Sequence, residues 1–125
     1  MNKKLLGYSL IVLVIVVAVV VVISYYGQPA PGRLDTFAKC LAGKGFTMYG
    51  AAWCPHCQNV KREFGASFQY VPYVECPDNP SLCQAKGITG YPTFLFSDGR
   101  RIEGEQTLEQ LSQAASCPLT YDQAK

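Results

Sequence analysis

The sequence predicts an α/β domain, a mixed central sheet flanked by helices, behind a single N-terminal membrane-spanning helix. Three observations predict it. From residue 34 on, apolar periodicity and turn residues give the order helix, strand, helix, strand, helix, strand, strand, helix. In that order the first two strands are parallel and joined by a crossover helix, and the last two form an antiparallel hairpin. The motif Trp53-Cys54-Pro55-His56-Cys57 falls where the first strand gives way to its helix. Ahead of all this, residues 5–23 are uncharged and almost wholly apolar.

At about 1.5 Å per residue, that apolar run extends about 28 Å, close to the hydrocarbon core of a bilayer. Lys3 and Lys4 precede it, and the first basic residue after it is Arg33. The positive-inside rule therefore places residues 1–4 in the cytoplasm and everything beyond residue 24 outside. A cleaved signal peptide is the competing reading. Its apolar region is shorter and ends at a small-x-small site, whereas this run ends in Ser24-Tyr25-Tyr26, aromatics suited to the membrane interface. The expected organisation is a cytoplasmic segment 1–4, an anchor 5–23, a Pro/Gly linker 24–33, a folded domain 34–117 and a frayed polar tail 118–125.

Within the domain, Leu34, Phe37, Ala38 and Leu41 follow helical spacing, with Asp35 in the first turn and Gly43 as the stop. Phe46-Thr47-Met48-Tyr49 reads as a short buried strand, closed by the turn Gly50-Ala51-Ala52. Val60, Phe64 and Phe68 then form the apolar stripe of one amphipathic helix. Residues 70–76 read as a strand with Pro72 near its beginning. A Pro/Asn/Asp loop bracketed by Cys76 and Cys83 follows, then a short helix from Leu82 to Lys86 that ends at Gly87. The apolar run after Pro92 is a buried strand, Ser97-Asp98-Gly99-Arg100 a hairpin turn, and Arg101 to Gly104 an edge strand. Thr107 caps a last helix with Leu108, Leu111 and Ala115 as its stripe, and Pro118 stops any continuation.

Charge excludes some functions. The net charge is +2, and without Lys3 and Lys4 the acidic and basic side chains balance. A neutral ectodomain gives no footing for nucleic acid or for an anionic membrane surface. Six cysteines in so short a chain, behind a membrane segment, point to an oxidising compartment.

The chemistry concentrates in the C-x-x-C. Cys54 falls at the exposed N-terminal end of a helix and Cys57 about a turn inside. Unpaired backbone N–H groups and the positive end of the helix dipole favour an anion at Cys54, and a protonated His56 adds to this. Thiolate attacks disulfides, so the pair reads as a redox centre. A zinc site needs a second ligand pair at comparable spacing, and the other cysteines are scattered around a single histidine. No metal is expected. A structural disulfide across so short a loop constrains the unfolded chain little. A copper carrier would place its C-x-x-C in an exposed loop without the tryptophan. Cys76 and Cys83 read as a local clamp, with a second redox pair as the alternative.

Together, Trp53-Cys54-Pro55-His56-Cys57 at a helix start and Tyr91-Pro92-Thr93 opening a later strand resemble the thioredoxin fold. The resemblance implies a cis Pro92, with Tyr91, Pro92 and Thr93 forming a substrate groove against the C-x-x-C and Trp53 as its partly buried flank. Phe37-Ala38-Lys39-Cys40-Leu41, the run Tyr49 to Asn59, Pro72-Tyr73-Val74-Glu75-Cys76 and Gly90-Tyr91-Pro92-Thr93 narrow it further. This set resembles the thioredoxin-like domain that is fused to, or works beside, bacterial homologues of vitamin K epoxide reductase (VKOR). Two departures from thioredoxin itself stand out. Met48 occupies the place of the buried acid six residues before the first active cysteine, and Pro-His replaces Gly-Pro, as in DsbA-type oxidants.

From these readings Cys54 is the expected nucleophile, Cys57 the resolving thiol and His56 the group that tunes Cys54. Cys76–Cys83 is the local pair and Cys40–Cys117 what remains by elimination; spacing alone does not determine connectivity. The expected function is an extracytoplasmic dithiol oxidase, single-pass in the membrane, that needs no cofactor beyond its own disulfide. Its partners would be cysteine-containing secreted proteins and a separate VKOR/DsbB-like, quinone-linked membrane oxidase. The alternatives are a membrane-tethered reductase or isomerase and a non-catalytic metal-binding or docking module. No dimerisation element is visible, which makes a monomer the expectation.

Overall fold

The structure, a computed structural model, describes residues 3–27 and 31–122. The start of the expected cytoplasmic segment, residues 28–30 of the linker and residues 123–125 of the tail lie outside the described residues. The chain divides into two compact units, Met1–Ala30 and Pro31–Lys125.

The first unit is one helix, α1 (Lys3–Tyr26), which extends beyond both ends of the expected 5–23. Gly7–Tyr26 is long and apolar enough to cross a membrane. Large apolar side chains from Leu10 to Ile23 are exposed around the helix, so it has no polar stripe to turn toward water.

The second unit contains α2 (Asp35–Gly43), β1 (Thr47–Gly50), α3 (Pro55–Phe64), a 3-10 segment (Gly65–Tyr70), β2 (Tyr73–Glu75), α4 (Pro80–Ala85), β3 (Thr93–Leu95), β4 (Arg101–Glu103) and α5 (Leu108–Ala115). The sheet order is β2-β1-β3-β4, with β1 parallel to β2 and the other pairs antiparallel. This is the thioredoxin-like α/β architecture the sequence predicts. The central strand β1 is buried at Met48, Tyr49 and Gly50. Met48 sits opposite Tyr73 on one side and Phe94 on the other.

The core forms where α2, α3 and α5 set their stripes on the sheet. Phe37, Leu41, Phe46, Met48, Val60, Phe94 and Leu111 are fully buried or nearly so. Burying each such side chain contributes about 1.5–3 kcal/mol. Phe37 stacks on Phe64 at 5.8 Å and Phe46 on Phe94 at 5.4 Å. Thr107 caps α5 in a reciprocal box: its hydroxyl accepts from the Gln110 N–H and its own N–H donates to the Gln110 side chain. Such a cap contributes about 1 kcal/mol.

Helix α4 runs Pro80–Ala85 rather than Leu82 to Lys86, since Pro80 fits the first helical turn, and three other elements of this unit differ in form. Helix α3 does not run through Phe68. At Gly65 the backbone turns to φ 55, a left-handed conformation that glycine adopts without a Cβ penalty, and a 3-10 segment takes over. Phe68 still meets Phe64, edge to face at 6.1 Å, so the apolar spacing is real although the helix is broken. The strand expected over 70–76 shrinks to three residues. The 3-10 segment holds Tyr70, and Pro72 has no N–H for the ladder, although its carbonyl accepts from the Met48 N–H at 2.9 Å.

The tail is the third. Through Asp122 it is docked rather than frayed. The Asp122 carboxylate accepts from the Thr36 N–H at 2.8 Å and the Thr36 hydroxyl at 2.6 Å, and its own N–H donates to the Arg33 carbonyl at 2.6 Å. The Thr36 N–H is one of the first-turn donors that a helix cannot satisfy internally. Leu119 packs on the core and Tyr121 lies under the Arg33 guanidinium.

Candidate active site

β1 delivers the chain to the site and α3 receives it. Beyond Gly50, the loop Ala51-Ala52-Trp53 turns, with the Cys54 N–H donating to the Ala51 carbonyl at 3.0 Å. Cys54 is the N-cap of α3 in extended conformation, and Pro55 takes the first helical position, where its missing N–H costs nothing. The Gln58 side chain donates to the Ala52 carbonyl at 2.8 Å and holds the loop against the helix.

Cys54 and Cys57 are free thiols, and the other four cysteines are paired. Cys40 is bonded to Cys117, tying α2 to the end of α5, and Cys76 to Cys83, clamping the β2–α4 loop. With those four sulfurs committed, the C-x-x-C has no second cysteine pair with which to hold zinc.

Cys54 is not at an exposed end. Only 5% of its surface is accessible and Cys57 has none. The covering group is the turn before β3, whose Tyr91 carbonyl lies 3.7 Å from the Cys54 sulfur. The Tyr91–Pro92 bond is cis. Thr93 is buried, its hydroxyl donating to the Gly90 carbonyl at 2.8 Å, and the Pro92 carbonyl accepts from the Gly104 N–H at 2.8 Å. Trp53, expected to be partly buried, is 68% exposed, with the Tyr91 ring packed against it edge to face at 6.0 Å. Trp53, Cys54, Tyr91, Pro92 and Thr93 therefore meet at one place.

His56 has a partner that the sequence did not reveal. Its Nδ1 lies 2.5 Å from the Glu105 carboxylate, on the loop between β4 and α5. Asn59 donates to the same carboxylate at 3.0 Å, and Arg62 donates to Asn59. The His56 hydrogen bond, followed by that of Asn59, holds the Glu105 carboxyl below its ordinary range.

Around Cys57 stands a second set of groups that sequence reasoning missed. Burial pushes its thiol up from 9.0 to about 11, with opposing pulls from the Ala51 backbone and the Lys61 charge. The Tyr73 hydroxyl donates to Glu75 at 2.5 Å, and the other Glu75 oxygen accepts from the Ala52 N–H at 2.8 Å. The Tyr73 hydroxyl is the largest of the causes that hold the Glu75 carboxyl below its ordinary range. Burial first, and then the Glu75 bond, hold the Tyr73 phenol above its own. Lys61, one helical turn after Cys57, places its ammonium 3.6 Å from the centre of the Tyr73 ring. The one available clue was the alternation of Tyr73 and Glu75 in a short strand, which puts both on one face.

The family model for thioredoxin matches residues 37–116. Over 96 residues the chain is 36% identical to thiol-disulfide oxidoreductase LTO1 of Arabidopsis thaliana, covering 70% of this chain and 25% of that protein. It is 34% identical over 76 residues to protein disulfide isomerase-like 2-1 of Oryza sativa subsp. japonica, covering 50% and 21%. The crystal structure of chloroplastic thioredoxin z aligns with a TM-score of 0.49 at 22% identity, over 62% of this chain and 81% of that one. The chain thus spans a quarter or less of the length of these two curated relatives. Because the match from Phe37 to Ser116 takes in the whole sheet and the C-x-x-C helix, the chain belongs to the thioredoxin family and carries a thiol-disulfide oxidoreductase domain.

Proposed function

We propose that this chain is a membrane-anchored, extracytoplasmic dithiol oxidase that passes a Cys54–Cys57 disulfide to cysteine pairs of secreted proteins. Cys54 is the sulfur a substrate reaches, because it retains an accessible edge beside Tyr91, whereas Cys57 has none. A substrate thiolate attacks the Cys54 sulfur, the Cys54–Cys57 bond breaks, and its electron pair leaves on Cys57. A second substrate thiolate then attacks the substrate sulfur of the mixed disulfide and releases Cys54. The reduced pair returns its two electrons to a separate quinone-linked membrane oxidase of VKOR or DsbB type. α1 supplies the anchor in this reading, with the N-terminus cytoplasmic, and the domain acts as a monomer.

Met48 carries the direction. It is fully buried in the middle of β1, where thioredoxin has a buried acid. With a thioether there, no buried anion repels the thiolate formed when the disulfide opens, so reduction of the disulfide is eased and it becomes a better donor. The names of the isomerase relatives favour a second reading, a tethered reductase or isomerase running the same chemistry backward.

The test is the reduction potential of the Cys54–Cys57 pair, measured on the full chain in detergent micelles equilibrated with thiol–disulfide buffers. A value near that of DsbA, about −120 mV, supports the oxidase; one near that of thioredoxin, about −270 mV, overturns it.

A further inference from the structure

Re-oxidation of the pair requires the buried Cys57 to lose its proton before it can attack the Cys54 sulfur, and the middle of β1 offers no base. The edge strand does. Tyr73 and Cys57 border the same space over Gly50: a Cβ at Gly50 would lie 2.7 Å from the Cys57 sulfur, 3.2 Å from the Tyr73 ring and 3.4 Å from its hydroxyl. Glycine is what lets the thiol and the phenol share that space. The Tyr73 hydroxyl already gives its hydrogen to Glu75, so its lone pairs are free to accept one. Glu75 is half-buried at the end of β2 and reaches solvent.

We propose that Tyr73 and Glu75 are the proton route of Cys57, with Lys61 as the fixed cation beside it. This rests on the assignment of Cys54 as the attacking thiol and Cys57 as the resolving one. When Cys54 is held in a mixed disulfide, the Cys57 thiol passes its proton to the Tyr73 oxygen as the phenolic proton moves to Glu75. The Cys57 thiolate attacks the Cys54 sulfur, the Cys54–Cys57 bond forms, and the partner sulfur leaves as a thiolate. Glu75 then releases the proton to water. When the disulfide is donated, the same path runs inward and protonates Cys57 as it leaves. Tyr73 remains un-ionised throughout; it relays and does not store charge.

The charged and titratable groups acting on Cys57 among the described residues are Cys54 and Lys61 from α3 and, through Tyr73, Glu75 from β2. Lys61 stabilises the thiolate, and Glu75 balances Lys61 when the thiol is neutral. The short bond from Tyr73 also keeps Glu75 ionised at neutral pH, so an empty acceptor is always present.

The experiment mixes the reduced full chain, in detergent and with both other disulfides intact, with excess 5,5′-dithiobis(2-nitrobenzoic acid) in a stopped flow. Attack by Cys54 releases one coloured thiolate in a phase that scales with reagent. Attack by Cys57 then releases a second in a phase that does not. Tyr73→Phe and Glu75→Gln are expected to slow the second phase about 100-fold at pH 7, the usual scale of general-base catalysis. They should also make it rise tenfold per pH unit, while the first phase stays as in the parent chain. If Glu75→Gln also slows the first phase, its contact to the Ala52 N–H has been disturbed and Tyr73→Phe, which removes one oxygen, decides. A second phase in Tyr73→Phe with the parent's rate and pH profile overturns the route. A second phase that survives Cys57→Ser overturns instead the assignment of Cys57 on which it rests.

Discussion

The His56 imidazole and the Glu105 carboxylate, which are 49 residues apart in the chain, stand 2.5 Å from each other at the mouth of the C-x-x-C helix. The pair joins the start of α3 to the loop that leads into α5. The sequence assigns His56 to the tuning of Cys54; in the fold its Nδ1 is committed to a carboxylate. Replacement of His56 by alanine is therefore expected to raise the Glu105 carboxyl back toward the ordinary carboxylate range, since the His56 hydrogen bond is its largest depressing cause. A carboxyl lowered by folding adds stability above its unfolded value, and that stability is lost as pH falls through the folded one. The parent chain should thus lose more stability on acidification than His56→Ala. An NMR titration of the Glu105 side chain reads the shift directly; identical curves in the two proteins would remove the pair from the account.

Cys57 should behave as a buried thiol. In a Cys54→Ser chain its alkylation by iodoacetamide is expected to climb about tenfold per pH unit from pH 8 and to level off only above the ordinary 9.0, because burial, the largest cause of its raised thiol, remains when Cys54 is gone. Because folding raises this group, its contribution to stability is complete below the ordinary 9.0 and is lost as pH rises through about 11. A plateau near pH 9 would mean that burial does not govern it.

Gly50→Ala introduces a methyl group 2.7 Å from the Cys57 sulfur and 3.2 Å from the Tyr73 ring. Both neighbours are confined, Cys57 by the helix and Tyr73 by its bond to Glu75. Overpacking of this kind costs about 1–3 kcal/mol, to be measured by urea denaturation. A chain of parent stability would show that the two side chains can part without cost.

The two structural disulfides should differ in what they contribute. Cys40–Cys117 spans 77 residues and Cys76–Cys83 only 7. On loop entropy alone the first restricts the unfolded chain by about 4.5 kcal/mol and the second by about 2.5 kcal/mol. Paired alanine replacements at each bridge, compared by urea denaturation, should keep that order. The reverse order would assign the stabilisation to contacts in the folded loop instead.

By itself, the sequence determined the fold class and where the chemistry would be. Apolar spacing in the last helix, β-rich runs broken by glycine and proline, and a C-x-x-C between a strand and a helix are local features. Local features survive in one dimension. The Thr107 cap and the Ser97–Arg100 turn follow from them, whereas the meeting of Trp53, Cys54 and the Tyr91-Pro92-Thr93 segment was implied only by the resemblance to the thioredoxin fold. The apolar helix at the N-terminus is local too, since nothing but a run of uncharged residues is needed to read it.

Tertiary structure decided what depends on distant partners. Trp53 is exposed and Cys54 covered although the turn before β3 touches both, its Tyr91 carbonyl lying 3.7 Å from the Cys54 sulfur and its ring 6.0 Å from the Trp53 ring. Asp122 docks on Thr36 across 86 residues, and Glu105 finds His56 across 49. Tyr73 and Glu75 come beside Cys57 because β2 lies parallel to β1 and Gly50 has no side chain to hold them off, and Lys61 because it follows Cys57 by one turn of α3. Such contacts involve a carboxylate, a phenol and an ammonium that elsewhere would be ordinary surface groups. Nothing in their neighbours along the chain marks them; the register of two strands and the pitch of one helix do.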